Sequence, residues 1–324
     1  MAAANGKSAD GESITHLVSD STSNLALAHR LADVADQISL ARYLALDLVI
    51  ETKPDTTPVT DADRAVEEEI RAILKAERPD DVIIGEEFGG VELLDSARPG
   101  TNFWIIDPID GTKNFLRGVP TWATLIAMGS TSESSAAASS NISIGVVSAP
   151  AMGRRWWAEK GRGAFVTERF SSASPLPSME AATTGEENSS TRKISVSKVG
   201  KLSDASISYS DLIGWGDRKA RFISLLDQVW RTRALGDFLS HMLVAEGAVD
   251  VAAEPTLALW DMAALAVIVE EAGGRFSSLD GIDGPFGRSG VSSNGRLHRE
   301  FLETISSSTG SHSDSDDPEE LVQI

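Results

Sequence analysis

The sequence predicts an α/β protein in which sheets are layered with helices (α+β layered). Three observations lead there. Segments with helical apolar spacing alternate with short apolar runs of strand character. The chain has 324 residues, 41% of them hydrophobic, enough for one large domain or two moderate ones. No apolar run approaches the length of a membrane-spanning helix.

Taken in order, Leu25 to Ile50 predicts a long first helix. Thr60 to Glu77 predicts a second, opened by Thr60 as N-cap with Asp63 three residues on in a capping box. Val82–Ile84 and Phe103–Ile106 predict short buried strands, and Thr124–Met128 and Ile142–Ser148 two more. Arg154–Glu168 predicts a hairpin turning at Lys160-Gly161-Arg162-Gly163. Ile194–Ser197 and Ala248–Ala252 are strand-like, while Arg218–Trp230 and Asp237–Gly247 are helical. Leu259–Ala272 predicts a helix stopped by Gly273-Gly274.

Four segments lack such patterning. Residues 1–20 form a small, polar tail, and residues 131–140 and 171–191 are low-complexity inserts. Residues 304–324 form an acidic tail. The folded domain is then 21–303, with an N-terminal α+β subdomain of about 21–170 and a C-terminal α/β subdomain of about 192–303. The four segments carry eleven of the nineteen excess negative charges, so the folded part is far less acidic than the whole.

A net charge of −19 argues against unaided binding to nucleic acid or an anionic membrane. The chain has no cysteine, which excludes disulfides, thiolate catalysis, Cys-ligated zinc and iron–sulfur clusters. Met1 to Asp20 lacks the apolar core of a signal peptide, and a cytoplasmic protein is predicted. The five histidines are scattered and form no HExxH pair.

The chemistry points to carboxylates at strand ends. Val82–Ile84 runs into Gly85-Glu86-Glu87, and Phe103–Ile106 into Asp107-Pro108-Ile109-Asp110-Gly111-Thr112. A third acid, Asp261, lies in an otherwise apolar helix. Loops at strand ends converge on sites in layered α/β proteins. Carboxylates that meet there must be neutralised by a proton or a cation, and hard oxygen ligands suit Mg²⁺ or Mn²⁺. Pro108 keeps Asp107 out of helical geometry, and Gly111 permits a tight turn. Asp107, Asp110 and the Ile109 carbonyl can then face one cavity, and the Gly111 and Thr112 amides can meet an anion. Asp261 and Asp63 each have a second reading, as acids in the first turn of a helix.

These residues carry a resemblance. GEE at Gly85–Glu87, DPIDGTKNF at Asp107–Phe115 and WDMAA at Trp260–Ala264 resemble the inositol monophosphatase family of Mg²⁺-dependent, lithium-sensitive phosphatases. The likeness covers about residues 25–303 and is nearest to the histidinol-phosphatase branch. That branch is suggested by ETKPDTTPVTDAD at Glu51–Asp63, TRALGDFLSHMLVAEGAVDVAAEP at Thr232–Pro255 and EEAGGRFSSLDG at Glu270–Gly281. The resemblance implies an αβαβα sandwich of the inositol monophosphatase/fructose-bisphosphatase sugar phosphatase type, assembled as a homodimer. It implies two to three Mg²⁺ ions, with Mn²⁺ as a substitute and inhibition by Li⁺. Glu86, Asp107, the Ile109 carbonyl and Thr112 would surround one ion, and Asp107, Asp110 and Asp261 a second. Glu86 would also touch a third. Asp63 and Thr112 would orient and deprotonate the attacking water, while Gly111 and Thr112 would hold phosphate oxygens. No covalent phosphoenzyme is expected. The Lys53-to-Asp63 stretch is one residue shorter than in the inositol enzymes, which weakens any role for Lys53.

The implied substrate is a small phosphate monoester, foremost histidinol phosphate, whose ammonium and imidazole an anionic rim would complement. Glu254, seven residues before Asp261, matches a family position that contacts the substrate's organic part. Asp237 is either a second such contact or the N-cap of the following helix. Trp104 and Trp260 are expected to fill core. The competing functions are an inositol-1-monophosphatase or broad sugar-alcohol monophosphatase, a nucleotide 3′-phosphatase, and a non-catalytic regulatory binding protein on the same fold.

Overall fold

A computed structural model describes residues 23–54, 57–131, 141–170 and 188–306. The helices are α1 (Asn24–Arg42), α2 (Asp61–Glu77), α3 (Glu92–Ser96), α4 (Thr112–Leu116), α5 (Lys219–Leu226), α6 (Asp237–Ala245), α7 (Leu259–Glu271) and α8 (His298–Ile305). The strands of the first half are β1 (Ile50–Thr52), β2 (Pro58–Thr60), β3 (Val82–Gly85), β4 (Asn102–Asp110), β5 (Ala123–Ser130), β6 (Asn141–Ala149), β7 (Arg154–Glu159), β8 (Gly163–Phe170) and β9 (Asn188–Ile194). Those of the second half are β10 (Ser206–Ser208), β11 (Arg231–Arg233), β12 (Val251–Glu254), β13 (Arg275–Ser277) and β14 (Gly290–Ser293).

Five layers result. Strands β3 to β9 form a seven-stranded sheet in sequence order, with β3 parallel to β4 and the rest antiparallel. One face is covered by α1 and α2, through Leu27, Leu31, Val66 and Ile70 against Trp104, Ile126 and Val146. The other face packs on α6 and α7, through Phe238, Met242, Ala264 and Ile268 against Leu125, Val147 and Trp156. Helix α7 has buried residues around most of its circumference, as suits a helix between two sheets. The second sheet has the order β11-β10-β12-β14-β13. Its outer face packs on α5 and α8, through Ile207, Val251 and Val291 against Phe222 and Phe301. The expected αβαβα sandwich is therefore the observed architecture. Trp104 and Trp260 belong to its core, and the Trp104 indole N–H donates to Asp81 Oδ2 at 2.9 Å.

Several expected boundaries move. The first helix ends at Arg42 rather than Ile50. Tyr43 turns into extended backbone and packs on Phe115 and Trp122, with ring centroids 5.5 and 5.4 Å away. That packing defeats an apolar spacing that continues through Leu44 and Leu46, both exposed. The helix expected over 218–230 closes at Leu226, because Arg231–Arg233 leaves it to pair in parallel with β10. Of the strand-like 194–197 only Ile194 is strand: it closes β9, which takes in Asn188–Thr191 from the expected insert 171–191 and joins the first sheet, while Ser195–Ser197 leave the ladder. Thr304 and Ile305 belong to α8 rather than to the acidic tail, with Ile305 buried. The rest of both tails and both inserts, apart from Thr131 and Ser306, lies outside the described residues.

Candidate active site

Strand β4 runs past Ile106, where the sequence pattern ended, through Asp107-Pro108-Ile109-Asp110. Residues three apart on a regular strand point to opposite faces. Here Asp107 pairs with Leu125 and Asp110 with Ala123, so three steps on β4 match two on β5. The extra residue is a bulge, which re-aims side chains and accommodates a proline without an N–H. Asp107 and Asp110 thereby bring carboxylate oxygens within 4.8 Å of each other. Gly111 then adopts φ +83°, and a Cβ there would lie 3.0 Å from the Thr121 carbonyl, so the turn into α4 requires glycine.

Asp261 arrives from the start of α7. One of its oxygens accepts the Ala258 N–H at 2.7 Å, so it is a first-turn acid and a site acid at once. Asp107, Asp110 and Asp261 each place a carboxylate oxygen within 4.8 Å of the others. Burial first, then the charges of neighbouring carboxylates, Glu86 and Glu254 in the case of Asp261, push all three up. Asp261 reaches about 7, and Asp107 and Asp110 rise well above the ordinary carboxylate range. Asp110 Oδ2 accepts the Phe238 N–H at 2.7 Å, which ties this acid to the first turn of α6.

Asp63 also fills two roles. As the capping-box acid of α2, its Oδ2 accepts the Thr60 N–H at 2.8 Å and the Thr60 hydroxyl at 2.6 Å. Its Oδ1 faces the Thr112 hydroxyl at 3.4 Å, and that hydroxyl donates to the Ile109 carbonyl at 3.0 Å. Burial raises Asp63 to about 6 against the Thr60 hydrogen bonds, with the Glu86 charge adding to the rise.

Glu86 follows β3 and is not in the close triad. Lys53 Nζ lies 2.7 Å from Glu86 Oε1 and 2.5 Å from Glu87 Oε1. Burial opposes the Lys53 charge, but the two hydrogen bonds prevail and raise its pKa. Lys53, discounted on spacing, thus sits against a candidate ligand; no local pattern links residues brought together from separate loops.

Glu67 is a second residue that sequence reasoning missed. Its fully buried carboxylate accepts the Glu87 N–H at 2.8 Å, the Phe88 N–H at 3.2 Å and Arg71 Nε at 2.8 Å. Arg71 donates in turn to the Ile83 and Gly89 carbonyls. The turn bearing Glu86 is thus gripped by its amides and carbonyls alike. The available signal was spacing: Asp63, Glu67 and Arg71 recur every four residues on one helix face. Gly85 completes the grip, because a Cβ there would lie 1.9 Å from Glu67 Oε1. Gly85→Ala is expected to lower the melting temperature by about 2–5 °C, the scale of about 1–3 kcal/mol of overpacking in a chain of this size. A thermal melt followed by circular dichroism measures this, and an unchanged melting temperature would mean that the Glu67 carboxylate moves aside freely.

Asp237 and Glu254 lie close enough to the triad for their charges to act on it. Asp237 is the first residue of α6, not its N-cap, which is Gly236. Its backbone has φ +50°, and its Oδ2 accepts from Asn114 Nδ2 at 2.9 Å. Burial, then the charge of Glu254, raises Asp237 to about 6. Glu254 ends β12, is 5% exposed, and also pushes Asp110 and Asp261 upward.

The donor set fits a divalent cation. The triad offers hard oxygens at short separation, and Asp107 Oδ1 is buried without a hydrogen-bond partner. Such an oxygen is costly unless a proton or a cation satisfies it.

The chain matches the model of the inositol monophosphatase family over residues 20–310. It is 52% identical over 281 residues to a histidinol-phosphatase of Mycobacterium tuberculosis, covering 86% of this chain and 96% of that protein. A histidinol-phosphatase of Streptomyces coelicolor is 50% identical over 285 residues, covering 87% and 97%. Among solved structures, an inositol monophosphatase from Zymomonas mobilis superposes with a TM-score of 0.67 at 28% identity, over 89% of this chain and 99% of that one. With the sandwich, the acidic cluster and the match over nearly the whole length in agreement, this chain belongs to the inositol monophosphatase family.

Proposed function

We propose that the protein is a Mg²⁺-dependent histidinol-phosphatase, converting L-histidinol phosphate and water to L-histidinol and phosphate in histidine biosynthesis. The carrying observation is the identity of 50 and 52% to two histidinol-phosphatases over almost their full length. The site supports it, because Asp237 and Glu254 add two carboxylates beside the metal triad, a surplus suited to a cationic substrate. A cytoplasmic homodimer, inhibited by Li⁺ and able to use Mn²⁺, completes the reading on family likeness. The assembled triad weighs against a purely regulatory binding protein.

Asp107, Asp110 and Asp261 would hold one Mg²⁺, and Glu86, Asp107, the Ile109 carbonyl and Thr112 another. Bound Mg²⁺ supplies a Lewis acid for phosphoryl oxygens and makes water more acidic. Thr112 orients the attacking water with its hydroxyl, and Asp63 Oδ1 accepts the proton, since Oδ2 is held by Thr60. The phosphorus–oxygen bond to the alcohol breaks as the new one to water forms, the bonding pair leaves with the alcohol oxygen, and that oxygen takes a proton from solvent water. Gly111 and Thr112 present their amides to phosphate oxygens at the entrance to α4. Asp237 and Glu254 bind the cationic end.

Phosphate release from histidinol phosphate, inositol-1-phosphate, fructose-1,6-bisphosphate and phosphoadenosine phosphate at fixed Mg²⁺ tests the proposal. Histidinol phosphate is expected to have the highest kcat/KM by at least about tenfold, about 1.4 kcal/mol of discrimination. Preference for inositol-1-phosphate would transfer the protein to the broader monophosphatase reading.

A further inference from the structure

His241 lies on α6, fully buried, and none of the steps above uses it. Its Nδ1 is 2.6 Å from Ser292 Oγ. Its Nε2 faces Glu254 Oε1 at 3.7 Å, beyond hydrogen-bond reach. Both facing atoms are buried and have no hydrogen-bond partner. Strand register places the group: Glu254 pairs with Gly290 and Ala252 with Ser292. Glu254 and Ser292 are therefore diagonal neighbours on one sheet face, which α6 covers with the imidazole.

We propose that His241 is a positioning residue that aims Glu254 at a cationic group of the substrate and so sets selectivity for phosphate monoesters bearing one. This rests on the functional reading above. Because Nε2 faces a carboxylate, which accepts, we assign the ring proton to Nε2, and Nδ1 then accepts from the Ser292 hydroxyl. A buried carboxylate one donor short is poorly satisfied, and a small closing movement brings the imidazole N–H into bonding range. The cation then engages Glu254 from the cavity while His241 holds it from behind. A cation-free monoester makes no use of this pair.

The test is the ratio of kcat/KM for histidinol phosphate to that for p-nitrophenyl phosphate, which carries no cation. His241→Leu is expected to lower the ratio about tenfold or more, the scale of a hydrogen bond to a charged group. The loss should fall on KM for histidinol phosphate, with kcat changed less than about twofold. His241→Gln, whose amide nitrogen reaches the place of Nε2, should keep the ratio within about threefold of wild type. Adding His241→Leu to Glu254→Gln should move the ratio no further, because the two act as one unit. A ratio unchanged in His241→Leu, or equally lost in His241→Gln, overturns the assignment. Should His241→Leu fail to fold by its melting curve, Ser292→Ala carries the test, with a lowered ratio expected and an unchanged one overturning it. A wild-type protein with no preference for histidinol phosphate overturns the functional reading itself, and does so before any variant is made.

Discussion

Asp107→Asn is expected to lose phosphatase activity and, without metal, to become harder to unfold. Asp107 is buried, shares the triad with Asp110 and Asp261, and has one oxygen without any partner. Burial first, then the charges of Glu86, Asp110 and Asp261, push its carboxyl far up. The asparagine removes a charged ligand, and losing several kcal/mol of transition-state stabilisation lowers kcat/KM by at least about 10³-fold. It also removes a repelling charge, and relief of about 1 kcal/mol raises the metal-free melting temperature by about 2 °C in a folded chain of this length. Kinetics with Mg²⁺ and melting curves in chelator check the two halves. Full activity in the variant would exclude Asp107 as a ligand. A lower melting temperature would mean that the carboxylate is satisfied without a cation.

Magnesium is expected to stabilise the protein more as pH rises. In the metal-free fold Asp261 is raised from the ordinary 3.8 to about 7, chiefly by burial, and Asp107 and Asp110 are raised with it. The folded state therefore binds more protons than the unfolded chain. Stability from these groups is full below about pH 4 and declines as pH climbs through about 7 for Asp261. Metal requires the deprotonated carboxylates, so binding releases protons below that range and strengthens above it. The gap between melting temperatures with saturating Mg²⁺ and with chelator should widen from about pH 5 to about pH 8. A gap that stays constant or narrows contradicts the buried, repelling triad.

Much of the site was legible because its residues are close in sequence or sit at helix starts. Asp107 and Asp110 share one strand end, while Asp63 and Asp261 each occupy the third position of a helix, where a backbone N–H fixes one oxygen. The short strands β10 and β11 were not legible. Ser206–Ser208 and Arg231–Arg233 have little apolar periodicity and exist because parallel neighbours pair with them. Lys53 and Glu67 act on a turn about twenty or more residues away, which no local spacing reports.

By itself the sequence determined the layer class and the acidic strand ends, since these follow from apolar period, turn chemistry and charge. The tertiary structure alone decided how those acids meet. The bulge that turns Asp107 and Asp110 to one side depends on the register of β5, a partner strand that local sequence does not encode. The grip on Glu86 and the His241–Glu254 pair likewise arise where separate elements pack, and burial there turns ordinary carboxylates into ones that call for a cation.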